Sequence, residues 1–414
     1  MLSLADTTTK LTLSGTILIL SIFLWNYLRF PLKSFPGPVA TDFTNLWRFI
    51  DVLKGRADIT LLNLHRRYGA AVRVGPNALS LSDPRVIGVV YNTRRTWQES
   101  RVDAMSQLSF GETLGILEAG KDVKKLHACS VQSFKYFAPI CQMPILDFFL
   151  DKNLIHRLGP PEFDWATAFS VEAYKKRQME GPRASDGKTD FLDMFIEAKE
   201  YYPDIVDDNM IMIYLLSNVI AGSDTTASTM VAAVHYVLKH PSVHRKLREE
   251  LERANPPLPV SWKAIQDLPY LDAVMKETIR IHPGIGLMLE RIVPEGGLTL
   301  PDGRFVPEGT VAGMNPWVVN KDEGVFGSEP DRFIPERWLK HDGETEQQFQ
   351  HRLGKMKGTI LSFGAGKRVC MGRALSKLES YQGHCDLVCE IRQKLFIPWL
   401  SFMQAFFTTL QECL

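Results

Sequence analysis
Chemistry in this chain concentrates in the run Phe363-Gly364-Ala365-Gly366-Lys367-Arg368-Val369-Cys370-Met371-Gly372-Arg373-Ala374-Leu375. One cysteine stands behind a glycine-rich turn and in front of a segment that reads as a helix. Gly364 and Gly366 can take backbone angles closed to other residues, so the chain can fold back tightly. The turn predicts amide N–H groups converging on the Cys370 sulfur, backed by the positive end of the following helix. Both effects favour thiolate over thiol, and the thiolate is the form that binds a metal. Arg368, two residues earlier, is placed to hold an anion on the same face. Gly372 removes a side chain where a flat ligand would press on the backbone.

Two further clusters precede it. A helical pattern over Asp207–Leu238 contains Ala221-Gly222-Ser223-Asp224-Thr225-Thr226. Gly222 lowers helix stability, and the small Ala-Gly pair allows a kink and close approach to a flat cofactor. A helix-interior threonine can turn its hydroxyl onto an upstream carbonyl, opening a groove that seats a water. Asp224 beside it can feed protons from solvent. Standing alone, the sextet reads as a capping or packing cluster. A second helix, Tyr270–Ile281, holds Glu277 and Arg280 one turn apart before His282-Pro283 ends it. Arg337, in Phe333-Ile334-Pro335-Glu336-Arg337-Trp338, can close a carboxylate–guanidinium network with both.

The spacing Phe-x-x-Gly-x-Arg-x-Cys-x-Gly resembles the haem-ligand loop of the cytochrome P-450 family, and the other motifs follow in the family's order. The resemblance implies a mainly α fold with small β-sheets around a buried haem. It implies haem b with the Cys370 thiolate as axial ligand, which pushes electron density onto iron and favours O–O cleavage. By the same resemblance Phe363 packs near the sulfur, Gly366 and Gly372 shape the loop, and Arg368 and Arg291 bind the propionates. Asp224 and Thr225 become the proton-delivery pair. The Glu277–Arg280–Arg337 network fixes the loop that carries the cysteine. The partners implied are an NADPH-dependent reductase that delivers electrons and an apolar small-molecule substrate.

These residues must be positioned by the rest of the chain. Leu11–Leu28 is eighteen residues without a charge, long enough to cross a bilayer as a helix. No small-residue cleavage site follows; Arg29, Lys33 and Pro36-Gly37-Pro38 come instead. Residues 1–10 then form a tail, 11–28 a single-pass membrane anchor, 29–38 a proline-rich hinge and 39–414 the haem domain. Flanking charge and the resemblance together imply an endoplasmic reticulum membrane with the body in the cytoplasm. Leu61 to Tyr68 reads as a short helix closed by Gly69. Ala71–Val74 with Ala78–Leu81, and Leu298–Leu300 with Arg304–Val306, read as hairpins. Trp97–Lys121 would be the loop over the haem, and Gly284–Glu290 should line the pocket.

The chain also departs from the family's pattern. His127, with Lys124 and Lys125 nearby, stands where an arginine is usual, so one propionate contact is altered. Only 87 positions separate Phe134 from Ala221, too few for the usual distal helices. Cys141-Gln142-Met143-Pro144 through Asp151-Lys152-Asn153 resembles sequence found well downstream in fungal relatives of pisatin demethylase. A block is therefore expected to be missing near 134–141, which would leave the Asp207–Leu238 helix bare on one side. After Tyr381 the resemblance fades, and Leu395–Leu410 is apolar but too short for a second span.

Composition narrows the classes. A net charge of +1 in 414 residues gives no footprint for nucleic acid, and 45% hydrophobic residues suit a large core. Six cysteines without dense, even spacing do not make a disulfide scaffold. His384, Cys385 and Cys389 resemble half a zinc site, but no second ligand pair follows. The resemblance, together with the uncharged Leu11–Leu28 stretch, implies a membrane-anchored haem-thiolate monooxygenase of fungal secondary metabolism or detoxification. One alternative is a catalytically impaired haem-binding remnant. Another is an isomerase or dehydratase that uses the same thiolate without external electrons, against which the intact Asp224-Thr225 pair argues.

Overall fold
A 32-residue helix, Asp208–Lys239, organises the protein. Asp207 caps it, its side chain accepting from the Met210 amide at 2.7 Å, where the helix dipole favours a negative charge. Pro241 starts the next helix, Pro241–Ala254, and disfavours helical angles at His240, so the long helix stops there. The structure is a computed structural model that describes residues 32–90, 126–153, 158–159, 164–181, 191–257 and 260–390. The expected anchor Leu11–Leu28, the loop Trp97–Lys121 and the apolar tail Leu395–Leu410 lie outside these. Among the described residues, no helix is long and apolar enough to cross a membrane.

On one side the long helix packs against Pro269–Ile281, which carries Glu277, and Arg373–Glu390, which follows Cys370. Ala233, Val237, Val243, Leu247, Leu271, Val274 and Tyr381 form the apolar core there. Burial of such surface stabilises by about 25 cal/mol per Å². Gly383 lets the cysteine helix come close: a Cβ there would sit 2.3 Å from Met230 Cε.

The expectation of a bare face on the long helix is not met. Helices Asp164–Glu180 and Phe191–Tyr201 pack against its first half. Ile211 and Leu215 are fully buried with Leu192, Val206 and Tyr174. The cover comes from residues after the expected junction, and through that junction the chain runs as a continuous helix, Leu126–Ile140.

Among the described residues, six strands make two small sheets. Strands β1 (Ala71–Gly75), β2 (Ala78–Leu81), β3 (Leu289–Ile292) and β6 (Val311–Met314) form one in the order β1-β2-β6-β3. Here β2 pairs parallel with β6, and the other two pairings are antiparallel. Strands β4 (Leu298–Thr299) and β5 (Phe305–Val306) form the second expected hairpin. The helix Ala57–Tyr68 ends at Gly69, whose φ of 91° lies in the region glycine enters without strain. Within the proline-rich stretch, Leu32 and Phe35 are buried in the core under the sheet. The Arg73 amide of β1 donates to the Pro36 carbonyl at 2.8 Å.

Candidate active site
The cysteine loop folds as its glycines require. Gly364 and Gly366 have φ of 69° and 68°. A Cβ on Gly364 would lie 3.2 Å from the Arg368 carbonyl oxygen, so the loop has little room for a side chain there. The Cys370 amide donates to the Phe363 carbonyl at 2.8 Å, closing the loop at its ends. The Gly364 amide goes to Leu361 and the Val369 amide to Gly366. These three amides serve carbonyls, so they are not the ones that would converge on the Cys370 sulfur. The turn is tight enough to satisfy its own backbone, as buried amides must be. The helix Arg373–Glu390 begins three residues beyond Cys370, with the Ser376 amide on the Gly372 carbonyl at 2.8 Å.

The predicted residues around the loop differ in exposure. Cys370 and Phe363 are partly buried, Gly372 is buried, and Arg368 is exposed at the end of a short 3-10 turn, Gly366–Arg368. The Arg373 guanidinium lies over the Phe363 ring, 5.8 Å from its centre. Arg291 is buried on β3, opposite Ala312, and donates to the Glu290 carbonyl at 2.7 Å. His127 lies in the helix Leu126–Ile140, and Lys124 and Lys125 fall outside the described residues.

The long helix meets the cysteine helix beside this loop. Thr225 Oγ1 donates to the Ala221 carbonyl at 2.8 Å, the upstream bond expected of a helix-interior threonine. The Thr225 carbonyl in turn accepts the Thr229 hydroxyl at 2.9 Å. Thr226 reaches the Ser376 hydroxyl at 3.4 Å. Asp224 and Thr225 are both partly buried. Gly284 packs on Thr225: a Cβ there would meet Thr225 Cβ at an ordinary 3.6 Å. Two residues earlier, His282 Nε2 is 3.2 Å from the Ser228 hydroxyl, and burial pushes this imidazole's pKa down to about 4. Gly286, Leu287 and Met288 line a cavity together with Trp47, Arg48, Leu61 and Gln142. Arg48 pairs with Glu290 at its edge, a contact across 242 positions that no local pattern announces.

The Glu277 network is closed. Its carboxylate takes Arg280 Nε at 2.8 Å and Nη2 at 2.7 Å, and Arg337 Nε at 3.0 Å. The Ile334 amide and Trp338 Nε1, both at 2.8 Å, complete it. Glu277 and Arg280 are fully buried, and Arg280 Nη1 also donates to the carbonyls of Asn320 and Pro330. The motif that carries Arg337 does not announce the bond of Trp338 to Glu277, and no motif marks Asn320. A polar Asn320 ending the apolar run Trp317-Val318-Val319 was the available signal.

The donor chemistry fits a haem with a thiolate ligand. A single sulfur, a soft ligand, sits at the end of a glycine-dependent turn. A helix with small residues and a hydroxyl at Thr225 lies beside it, and a buried arginine stands on the adjoining sheet. Among the described residues, no other cluster of His, Cys, Asp and Glu could hold a metal ion.

A family model described as cytochrome P-450 matches residues 89–384. The chain is similar to the cytochrome P-450 monooxygenase cfoH of Aspergillus candidus, 30% identical over 470 aligned residues covering 92% of this chain and 87% of that protein. It is 32% identical over 448 residues to a cytochrome P-450 monooxygenase of Aspergillus terreus, covering 86% and 89%. With the cytochrome P-450 monooxygenase pkfB of Emericella nidulans it shares 37% over 435 residues, covering 83% and 82%. The 470-residue alignment is longer than this chain of 414, so part of that relative has no counterpart here. The cysteine loop, the helix beside it and these relatives together make the chain a member of the cytochrome P-450 family, a monooxygenase of fungal type.

Proposed function
We propose that the protein is a membrane-anchored haem-thiolate monooxygenase acting on an apolar small molecule in fungal secondary metabolism or detoxification. Two electrons from NADPH arrive through a separate reductase. One atom of O₂ enters a C–H bond of the substrate, and the other leaves as water with two protons. The observation that carries this reading is the glycine turn that closes on Cys370 beside the Thr225 helix.

When bound, the haem supplies activation of dioxygen at a thiolate-ligated iron. This chain's residues do the rest. Cys370 would ligate the iron through its thiolate, with Phe363 packing near the sulfur and Gly366 and Gly372 shaping the loop that holds the group. Arg291 and Arg368 would bind propionates as charge-assisted donors. Thr225 spends its hydroxyl proton on the Ala221 carbonyl, so its oxygen lone pairs remain to accept from a water. Asp224, one residue away and partly exposed, would exchange protons between solvent and that water. The Glu277 network, which contains no group for proton transfer to substrate, holds the cysteine loop in place.

Residues 11–28, uncharged throughout, would anchor this body to the endoplasmic reticulum with the haem domain, 39–414, in the cytoplasm. The residues lacking a counterpart are assigned to the neighbourhood of 134–141, where the spacing to Ala221 is short. A closed buried network and a covered long helix weigh against an inactive remnant.

The test is the carbon monoxide difference spectrum of the reduced, full chain, followed by NADPH-dependent product formation with an added reductase. A thiolate-type band that is lost in Cys370→Ala, and retained in Cys385→Ala, is expected. A normal band in Cys370→Ala removes the ligand assignment, and turnover without NADPH removes the monooxygenase reading.

A further inference from the structure
Asn320 is fully buried, 50 residues before Cys370 in sequence, and its side-chain amide is fully engaged. Nδ2 donates to the Arg280 carbonyl at 3.3 Å and to Ser362 Oγ at 3.0 Å. Oδ1 accepts the Leu361 amide at 3.1 Å. Ser362 Oγ passes the bond on to the Ile279 carbonyl at 2.8 Å. The amide therefore has one orientation: its oxygen faces an N–H, and its nitrogen faces a carbonyl and a hydroxyl that is itself donating. On its main-chain side, the Asn320 carbonyl accepts Arg280 Nη1 at 2.9 Å.

What Asn320 holds is the base of the cysteine loop. Leu361 and Ser362 immediately precede Phe363, whose carbonyl takes the Cys370 amide. The Leu361 carbonyl takes the Gly364 amide at 2.8 Å, so the first turn of the loop grows directly from the residue Asn320 fixes. The bonds made by the Glu277 carboxylate go to Arg280, Ile334, Arg337 and Trp338, and Arg280 reaches 361–362 through Asn320. A buried amide with every group matched resists rotation, because any other orientation leaves donors or acceptors unpaired.

We propose that Asn320 is the positioning residue for the axial ligand, transmitting the rigidity of the Glu277–Arg280–Arg337 network to the loop that presents Cys370. The proposal rests on Cys370 as that ligand, and the two can fail separately. Asn320→Leu keeps the branched shape of the side chain and removes all three side-chain bonds. The full chain is purified as holoenzyme and compared with wild type and with Trp338→Phe, which removes one donor from Glu277 and no bond from Asn320. Haem content, the reduced carbon monoxide spectrum and amide hydrogen exchange are measured on each.

At equal haem content, Asn320→Leu should convert at least half of the thiolate-type band to the thiol type. Exchange at the amides of Leu361, Gly364 and Cys370 should speed up about tenfold or more, the effect of losing a buried hydrogen bond. Trp338→Phe should lower the unfolding midpoint while leaving band and exchange at 361–370 as in wild type. A thiolate band and exchange rates unchanged in Asn320→Leu overturn the proposal. So does an equal change in Trp338→Phe, which would mark Asn320 as merely one more stabilising contact. If Asn320→Leu does not fold, Ser362→Ala decides, since it removes the Asn320–Ser362 and Ser362–Ile279 bonds with little loss of volume. Faster exchange at Cys370 in that variant supports the relay, and unchanged exchange overturns it. A thiolate band that survives Cys370→Ala strikes the ligand assignment and not Asn320's hold on the loop, which exchange reads without haem chemistry.

Discussion

Thr226 on the long helix and Ser376 on the cysteine helix face each other hydroxyl to hydroxyl, 3.4 Å apart. This long hydrogen bond marks where the two helices meet. It also sets the rotation of Thr225, the next residue round the helix, whose hydroxyl is already committed to Ala221. Two side-chain hydroxyls on carbonyls one turn apart, Ala221 and Thr225, loosen the helix along one face. A functional water needs such a place.

Thr225→Ala should fold and bind haem as wild type does, because the residue is partly buried and packs only lightly on Gly284. Product formed per NADPH should fall, with peroxide released instead, by up to the roughly hundredfold that losing a proton-transfer group costs. Thr225→Ser should restore most of the coupling. Undiminished product per NADPH in Thr225→Ala would take the residue out of the mechanism.

Glu277 accepts from two guanidiniums, one indole and one amide in a fully buried site. Removing the carboxylate leaves two cations without their counter-charge, which costs about 3–5 kcal/mol in buried pairs. That is a large share of a domain's total stability of roughly 5–15 kcal/mol. Glu277→Ala should therefore yield little holoprotein, whereas Trp338→Phe should cost only about 1 kcal/mol. Urea unfolding of both variants measures the difference; equal midpoints would show that the network is not holding the fold.

Legibility in the sequence followed range. The left-handed angles of Gly364 and Gly366, the Thr225–Ala221 bond and the Glu277–Arg280 pair lie within one turn of chain, so residue type and spacing suffice. Both hairpins were legible for the same reason. Asn320 with Leu361, Ser376 with Thr226, and Arg48 with Glu290 depend on which elements pack together, and no local rule states that. The cover on the long helix was missed because Asp164–Glu180 is polar over most of its length and shows little amphipathic pattern. The bonds of the Gly364, Val369 and Cys370 amides to carbonyls of the same turn depend on how tightly it closes, which residue type alone does not state.

His65 joins a helix end to the sheet. Its Nδ1 is 2.9 Å from the Gly69 carbonyl, which can only accept, so the proton is on Nδ1 and Nε2 accepts from Ser80 at 2.8 Å. Burial pushes its pKa from 6.5 down to about 4, against a smaller upward pull from Gly69. Between those values the unfolded chain binds a proton that the folded one refuses, so stability falls as pH falls. The full window is worth about 3 kcal/mol. His65→Gln keeps a donor and an acceptor but does not titrate. Unfolding free energy should drop less steeply from pH 7 to 4 in that variant, and parallel curves would show that His65 does not carry the effect.

Glycine replacements should have opposite signs at two sites. A Cβ on Gly37 would fall 2.3 Å from the Arg73 carbonyl oxygen and 2.9 Å from Arg73 Cβ, both on strand β1. Neither can swing away, because Arg73 is tied to Pro36, Phe35, Thr41 and Asp42 and lies in the sheet. Gly37→Ala must separate the proline-rich stretch from β1 and disturb Leu32 and Phe35 in the core beneath. Overpacking of this kind costs about 1–3 kcal/mol. Gly354 lies inside the helix Glu346–Thr359, and a Cβ there would meet nothing within 4 Å. Gly354→Ala should stabilise by up to about 1 kcal/mol, the difference in helix propensity. Thermal unfolding followed by circular dichroism separates the two. A Gly37→Ala midpoint at or above that of wild type would show that the stretch before residue 39 is not clamped to the sheet.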